Sequence, residues 1–537
     1  MPSTEGKPSR RREWIAIGAV TAIALVLRLA GIGWGLPNSE HYFSYHPDEI
    51  FLLLPSFGFA QGDWNPHFFN YGTLYIYLVG IPAVIFGLVP TALFPQGLAP
   101  LYLTGRLVTA MLGTASVPLL YLALKRENKS LAWGSAFLLT ICPLHVINSH
   151  YATVDVPATF FLVLAFLFAL RGAERAGPRW AVLTGLAVGF AAATKYNAGL
   201  FLIPALLAPA LAKRSSAGIA WWLGVLLAAA AGFLVCNPWI GTPEFRRGFL
   251  FEWRHAQAGG TFAFVGTGSG WSYHLLHGIP VALGYPLLAA AAVGLVAALR
   301  SRSPAVRVSL LWCVFYFIII GSGKERFIRY LVPMVPCVCV LAVWGVFSFI
   351  RLAKRPATEN LAVAFGIAVL LLTGLYSLGQ SASLVGIDAR DWAWIQTDSD
   401  VLEKYQVKTI GLADLPWYSD PPVSPYNAGA FSRRTFEEWN RSARLPIIVT
   451  GWNADRLRAS RPDIFFLSDL GSQDRLRLRD QEAMRFVASL SVAYADRRTF
   501  DGIPGARYWW LAPPRSWAPP DWLYPSPRIT VYYGPRS

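Results

Sequence analysis

The chain has 537 residues, 54% of them apolar and only 15% charged, with a mean hydropathy of +0.40. Soluble domains typically carry about 25% charged residues, which argues against a soluble globular protein and a disordered one alike. The net charge of +16 sits mostly in short loops between apolar blocks. That is how cytoplasmic loops of a membrane protein read, so it does not point to nucleic acid.

Apolar blocks of roughly 17–25 residues match the length of helix that crosses about 30 Å of hydrocarbon, and the short alternating strands of a membrane barrel are not seen. Residues 1–13 are polar and basic and form an expected cytoplasmic tail; the block that follows is too long for a signal-peptide core and reads as a retained span. From Gly31 to Gly105 there is no Lys or Arg, while Glu40, Asp48, Glu49 and Asp63 are present, so 34–103 reads as an outer loop. Within it, Thr73–Phe94 is read as a helix lying on the outer interface. Crossing there would put the basic cluster Lys125, Arg126, Lys129 outside.

Eleven crossings are expected, at 14–33, 104–124, 131–147, 157–171, 180–194, 196–212, 217–236, 273–299, 305–320, 330–350 and 360–379. Inner loops then hold Arg171/Arg175/Arg179, Lys213/Arg214, Arg300/Arg302/Arg307 and Arg351/Lys354/Arg355. The stretch 180–212 is short for two spans, and two short helices meeting near Thr194–Asn197 fit it. An odd count puts 381–537 outside the cytoplasm. That segment mixes helix-like stretches (391–405, 474–487) with strand-like runs (408–413, 446–450, 529–533) and reads as a small α/β domain. The five cysteines (Cys142, Cys236, Cys313, Cys337, Cys339) lie in or at the ends of apolar blocks and form no disulfide or zinc pattern.

Charged residues beside spans are candidates for function because charge is costly at membrane depth. In His46-Pro47-Asp48-Glu49 the proline suits the first turn of a helix, so the two acids either cap that helix or supply a general base. Asp155, in Tyr151 to Pro157, poses the same choice between cap and site. Arg28, Arg106, Lys195, Lys324, Arg326 and Arg329 are cations at outer span ends, where the charge rule disfavours them; phosphate is one partner that would explain them. Arg28, deep in the first span, reads as structural. Acids and cations on one membrane face suit displacement at a sugar anomeric carbon with a lipid phosphate as leaving group. The cations neutralise that group, one carboxylate deprotonates the acceptor, and the centre inverts.

As an ordered set, several short motifs resemble the protein O-mannosyltransferase-like superfamily of the GT-C fold, which includes the bacterial aminoarabinose lipid A transferases. They are Asp48-Glu49, the run Gly62 to Tyr71, Gly105-Arg106-Leu107, Tyr151 to Pro157, Thr194-Lys195-Tyr196, and Glu325-Arg326-Phe-Ile-Arg329-Tyr330. The resemblance covers about 14–380. It implies a catalytic domain with helices on the outer face and a polyprenyl-phosphate-linked sugar donor. It also implies Asp48 as general base. Glu49, His46, Asn70, Tyr71, Asp155 and Lys195 would line or shape the substrate site, and Arg106, Lys324, Arg326 and Arg329 would contact phosphate. The acceptor, whether lipid, glycan or protein, stays open, and no metal or other cofactor is expected. Competing readings are a polyprenyl-lipid or glycolipid flippase without transferase activity, and a sensor or assembly factor acting through 381–537. Nearly charge-free spans after Arg28 count against a transport route.

Overall fold

The computed structural model describes residues 10–91, 97–175, 177–212, 218–352, 355–400, 402–426, 433–502 and 510–535; Lys213, Arg214 and Lys354 fall outside the described residues. Seven described helices are long and apolar enough to cross a membrane: Ala99–Leu124, Asp155–Glu174, Ile219–Cys236, Gly270–Ala298, Pro304–Ser322, Ile328–Leu352 and Pro356–Val385. The other four expected spans are helices that miss that length or composition. Arg10–Leu29 carries Arg10, Arg11, Arg12, Glu13 and Arg28. The 131–147 block is split into Lys129–Ile141 and Pro143–Asn148, because Cys142 stands before a proline and takes the extended conformation (φ −65°, ψ 119°) such positions prefer. The 180–212 stretch breaks at Lys195, whose backbone is extended (φ −145°, ψ 120°) between Pro178–Thr194 and the helical segment Tyr196–Leu211. The helix Leu74–Ile85 has 12 residues, about 18 Å, too short to cross alone.

Small residues let the helices approach closely. A Cβ on Gly185 or Gly189 would stand 2.4 Å from a backbone oxygen of Ile219–Cys236, so only glycine permits that crossing. Arg28 is fully buried and donates to the carbonyls of Leu139 (3.1 Å) and Thr140 (3.4 Å) and to His145 Nδ1 (2.9 Å). It closes the C-terminal end of Lys129–Ile141, where a cation also meets the favourable end of the helix dipole.

The last apolar helix runs past 380 to Val385 and leads into the C-terminal domain. Its sheet has five strands, β1 (Ile410–Leu412), β2 (Ile447–Val449), β3 (Ile464–Ser468), β4 (Tyr494–Asp501) and β5 (Arg528–Pro535), in the order β2-β1-β3-β5-β4. The first three are parallel and β5 is antiparallel to both its neighbours. The sequence reading located β1, β2 and β5. It missed β3, a wholly buried strand, and β4, an edge strand whose Asp and Arg side chains disguise it while protecting the open edge.

The domain is tied to loops and helix ends of the membrane part. Trp34 Nε1 donates to Asp388 Oδ2 (2.9 Å), the Tyr42 amide to the Pro425 carbonyl (2.8 Å), and Arg477 to the carbonyls of Val265 (2.9 Å) and Ala263 (3.0 Å).

Candidate active site

Asp48 precedes a short helix, Glu49–Leu53, yet its side chain makes no capping hydrogen bond. Its Oδ2 instead pairs with Arg329 Nη2 at 2.8 Å, and at 31% exposure the carboxylate remains reachable. Oδ1 has no hydrogen-bond partner among the described residues.

Glu49 faces the opposite way and is fully buried. Its oxygens accept from Arg106 Nε and Nη2, both at 2.8 Å, from the Ala152 amide at 2.8 Å, and from the Ser44 hydroxyl. Burial alone would raise its pKa, but the charge and hydrogen bonds of Arg106 hold it below the usual value. Arg106 donates further to the carbonyls of Ile32 and Trp34 and to Ser44 Oγ. All five guanidinium N–H groups are thereby used inside the protein. The expected phosphate contact of Arg106 has no donor left to make it.

Lys195 projects from the helix break and donates to Asp155 Oδ1 at 2.6 Å, with both side chains buried. Asp155 heads the helix Asp155–Glu174 without capping it. The Lys195 ammonium lies 4.6 Å from the Tyr330 ring centre and 6.0 Å from that of Tyr71. Tyr330 also lies beneath Arg329, at 5.9 Å, so the two carboxylate–cation pairs flank a shared aromatic wall. Burial raises the Tyr71 pKa, keeping its hydroxyl protonated. Asn70 is half-buried and makes no side-chain hydrogen bond among the described residues.

His46 is buried, packs on Tyr151 (centroids 4.4 Å) and Tyr524 (5.2 Å), and its Nδ1 faces the Asp48 amide at 3.3 Å. Burial, against the pull of Asp48 and Glu49, lowers its pKa to about 4. The ring is therefore neutral and carries its proton on Nε2, since the Asp48 N–H points at Nδ1.

The structure does not bring Arg326 or Lys324 to this cluster. Arg326 donates to the Thr267 hydroxyl and lies over Tyr273 (5.9 Å), while its neighbour Glu325 accepts from the Thr261 amide at 3.0 Å. Both hold the loop 261–267. Lys324 is exposed, and its side chain makes no hydrogen bond or ion pair among the described residues. The local cause is the backbone at 323–327. Gly323 (φ −74°, ψ 157°) and Phe327 (φ −59°, ψ 138°) are non-helical, and the chain turns helical at Ile328, between Arg326 and Arg329.

Two acids at the site were not foreseen. Asp521 arrives from the C-terminal domain: its oxygens accept from the amides of Ile328 (3.1 Å) and Arg329 (3.2 Å), and Arg329 Nη1 lies 3.8 Å away. Burial raises its pKa to about 6, against the opposing pull of Arg329 and the amides. Its place, far along the chain from Arg329, left no local signal. Glu252 lies on the helix Pro243–Ala258 and is in the electrostatic field of Lys195, His255, Arg329 and Asp48. Its signal was present in retrospect, as a single inward acid in a helix whose other charges near it are cationic. Among the described residues no group of three or more His, Cys, Asp or Glu side chains is placed to hold a metal ion.

Known proteins are similar to this chain in a segment of sequence and in fold. The sequence profile described as dolichyl-phosphate-mannose-protein mannosyltransferase matches residues 70–246. That segment contains Tyr71, Arg106, Asp155 and Lys195. No curated protein matches the chain in sequence. Among solved structures, ArnT from Cupriavidus metallidurans in the apo state superposes with a TM-score of 0.51 at 16% identity, covering 98% of this chain and 100% of that one. ArnT from the same organism bound to undecaprenyl phosphate gives 0.50 at 16% identity, with the same coverage. The Archaeoglobus fulgidus oligosaccharyltransferase in complex with zinc and sulfate gives 0.50 at 14% identity, covering 86% of this chain and 69% of that one. With a mannosyltransferase profile on about a third of its length and a fold shared with ArnT along nearly all of it, the chain is a multi-pass membrane protein that is similar to membrane glycosyltransferases.

Proposed function

We propose that the protein transfers a sugar from a polyprenyl-phosphate donor to an acceptor on the extracytoplasmic side, with inversion and with Asp48 as general base. The N-terminus then lies in the cytoplasm and 381–537 outside, as the basic loops require. The observation that carries the reading is the open Asp48–Arg329 pair beside Asp155–Lys195. An anion that can take a proton stands next to two cations that can receive a phosphate. The similar ArnT structure with undecaprenyl phosphate supports the donor class.

In this mechanism Asp48 Oδ1 accepts the proton of the acceptor hydroxyl while Oδ2 stays on Arg329. The acceptor oxygen bonds to the anomeric carbon from the face opposite the phosphate. The carbon–oxygen bond to phosphate breaks and its electron pair leaves with the lipid phosphate. Arg329 and Lys195 stabilise that growing charge, each already held in place by a carboxylate. Glu49, Arg106 and the neutral His46 act as positioning residues that set the direction of the Asp48 side chain. Tyr71 and Tyr330 wall the space between the cations. Lys324 and Arg326 carry no role in this scheme.

The test is Asp48→Asn in the full-length protein reconstituted in membrane. Sugar transfer is expected to vanish while polyprenyl phosphate still binds and the melting temperature is kept. Undiminished transfer by that variant rules the mechanism out.

A further inference from the structure

The helix Pro243–Ala258 turns one face to the site. Phe245 packs on Phe69 (centroids 5.4 Å) and Phe249 meets Tyr196 edge-on at 5.0 Å. Near the other end, His255 Nε2 lies 3.7 Å from Glu325 Oε1. Positions 245, 249, 252 and 255 follow helical spacing, so Glu252 lies on this inner face, between the Lys195–Tyr196 corner and Glu325. Arg246, Arg247, Trp253 and Arg254 lie exposed on the outside.

Each of the other acids facing the cluster already has partners: Asp48 has Arg329, Glu49 has Arg106, Asp155 has Lys195, and Asp521 has two backbone amides. Glu252 is half-buried and has no hydrogen bond or ion pair among the described residues. The burial that isolates it also raises its pKa. A carboxylate left without donors in such a place is satisfied when a ligand brings them. A phosphate brings none and repels it, whereas sugar hydroxyls are donors, and two neighbouring hydroxyls match the two oxygens of one carboxylate.

We propose that Glu252 determines which sugar the enzyme accepts: while Lys195 and Arg329 take the phosphate, it accepts hydrogen bonds from the ring hydroxyls of the donor sugar. This rests on the lipid-phosphate-sugar reading above and adds to it the residue that reads the sugar.

The experiment measures binding to the full chain in lipid nanodiscs, using bare polyprenyl phosphate and polyprenyl phosphates carrying mannose, glucose or galactose. The wild type is expected to prefer one sugar at least 10-fold. Glu252→Gln is expected to bring all three to within about 2-fold of the bare lipid phosphate, whose own affinity stays within 2-fold. Glu252→Asp, a shorter carboxylate, should restore part of the preference. A preference unchanged in Glu252→Gln, an equal loss for bare and sugar-bearing lipid, or a wild type indifferent to the sugar each overturns the role of Glu252. A wild type that binds no polyprenyl phosphate at all overturns the donor reading instead, which keeps the two failures apart.

Discussion

Asp48 and Glu49 are neighbours in the chain with the same charge, and the fold gives them opposite fates. Glu49 and Arg106 form a closed pair: both are fully buried, joined by two hydrogen bonds of 2.8 Å, and every remaining donor of the guanidinium is occupied. Asp48 and Arg329 form an open pair: one contact at 2.8 Å, an unused oxygen, and a carboxylate still partly exposed. A closed pair stores specificity of structure, because nothing remains to bind a ligand. An open pair keeps capacity for chemistry. Burial and valence, and not charge alone, separate a saturated acid from one that still has room for a ligand.

The comparison breaks most visibly in activity. Asp48→Asn is expected to lower transfer by about 100-fold or more, the scale of a lost general base, with little change in melting temperature. Arg106→Ala is expected to do the reverse. Leaving Glu49 buried without its partner costs about 3–5 kcal/mol, so the variant should melt early or fail to accumulate in the membrane. If Arg106→Ala instead folds normally and loses only phosphate affinity, the pair is open after all.

Lys195→Met sharpens the contrast at the second pair. It should weaken binding of polyprenyl phosphate about 10-fold or more, the scale of a lost charged hydrogen bond, while Lys195→Arg retains part of the affinity. The smallest effect is expected at His46. The unfolded chain takes up a proton there near the usual 6.5, and the folded chain resists until about 4. The unfolded state binds more protons in that window, so stability falls as pH drops from about 6.5 towards 4. His46→Gln should flatten part of that slope in melting temperature. The ring faces Tyr151, Tyr524, Asp48 and Glu49, with Arg106 and Arg329 nearby, and those charges are unchanged in the variant. His41 and His150, also lowered to about 4 by burial, contribute the slope that remains.

Much of the candidate site was legible in the chain because its members sit at ends of apolar blocks, where a charge needs a reason. Asp48, Asp155, Lys195 and Arg329 were all found that way. The helix break at Lys195 was legible too, since two full-length spans did not fit the residues between Arg179 and Lys213 and two short helices meeting near Thr194–Asn197 did. The division of labour was not. Arg106 and Arg329 look alike as lone outer cations, and only the contacts show that one is saturated. Arg326 and Arg329 are three residues apart, and the start of a helical turn at Ile328 separates them.

The sequence by itself determined the class of molecule and the C-terminal domain as a mixed α/β unit, because hydrophobic length and turn signals are local properties. Tertiary structure alone decided which cation meets which acid. It brought Asp521 onto Arg329 from the far end of the chain and turned Glu252 inward. Those choices depend on distance in space and on how many hydrogen-bond donors each neighbour has left, and neither quantity is written along a linear chain.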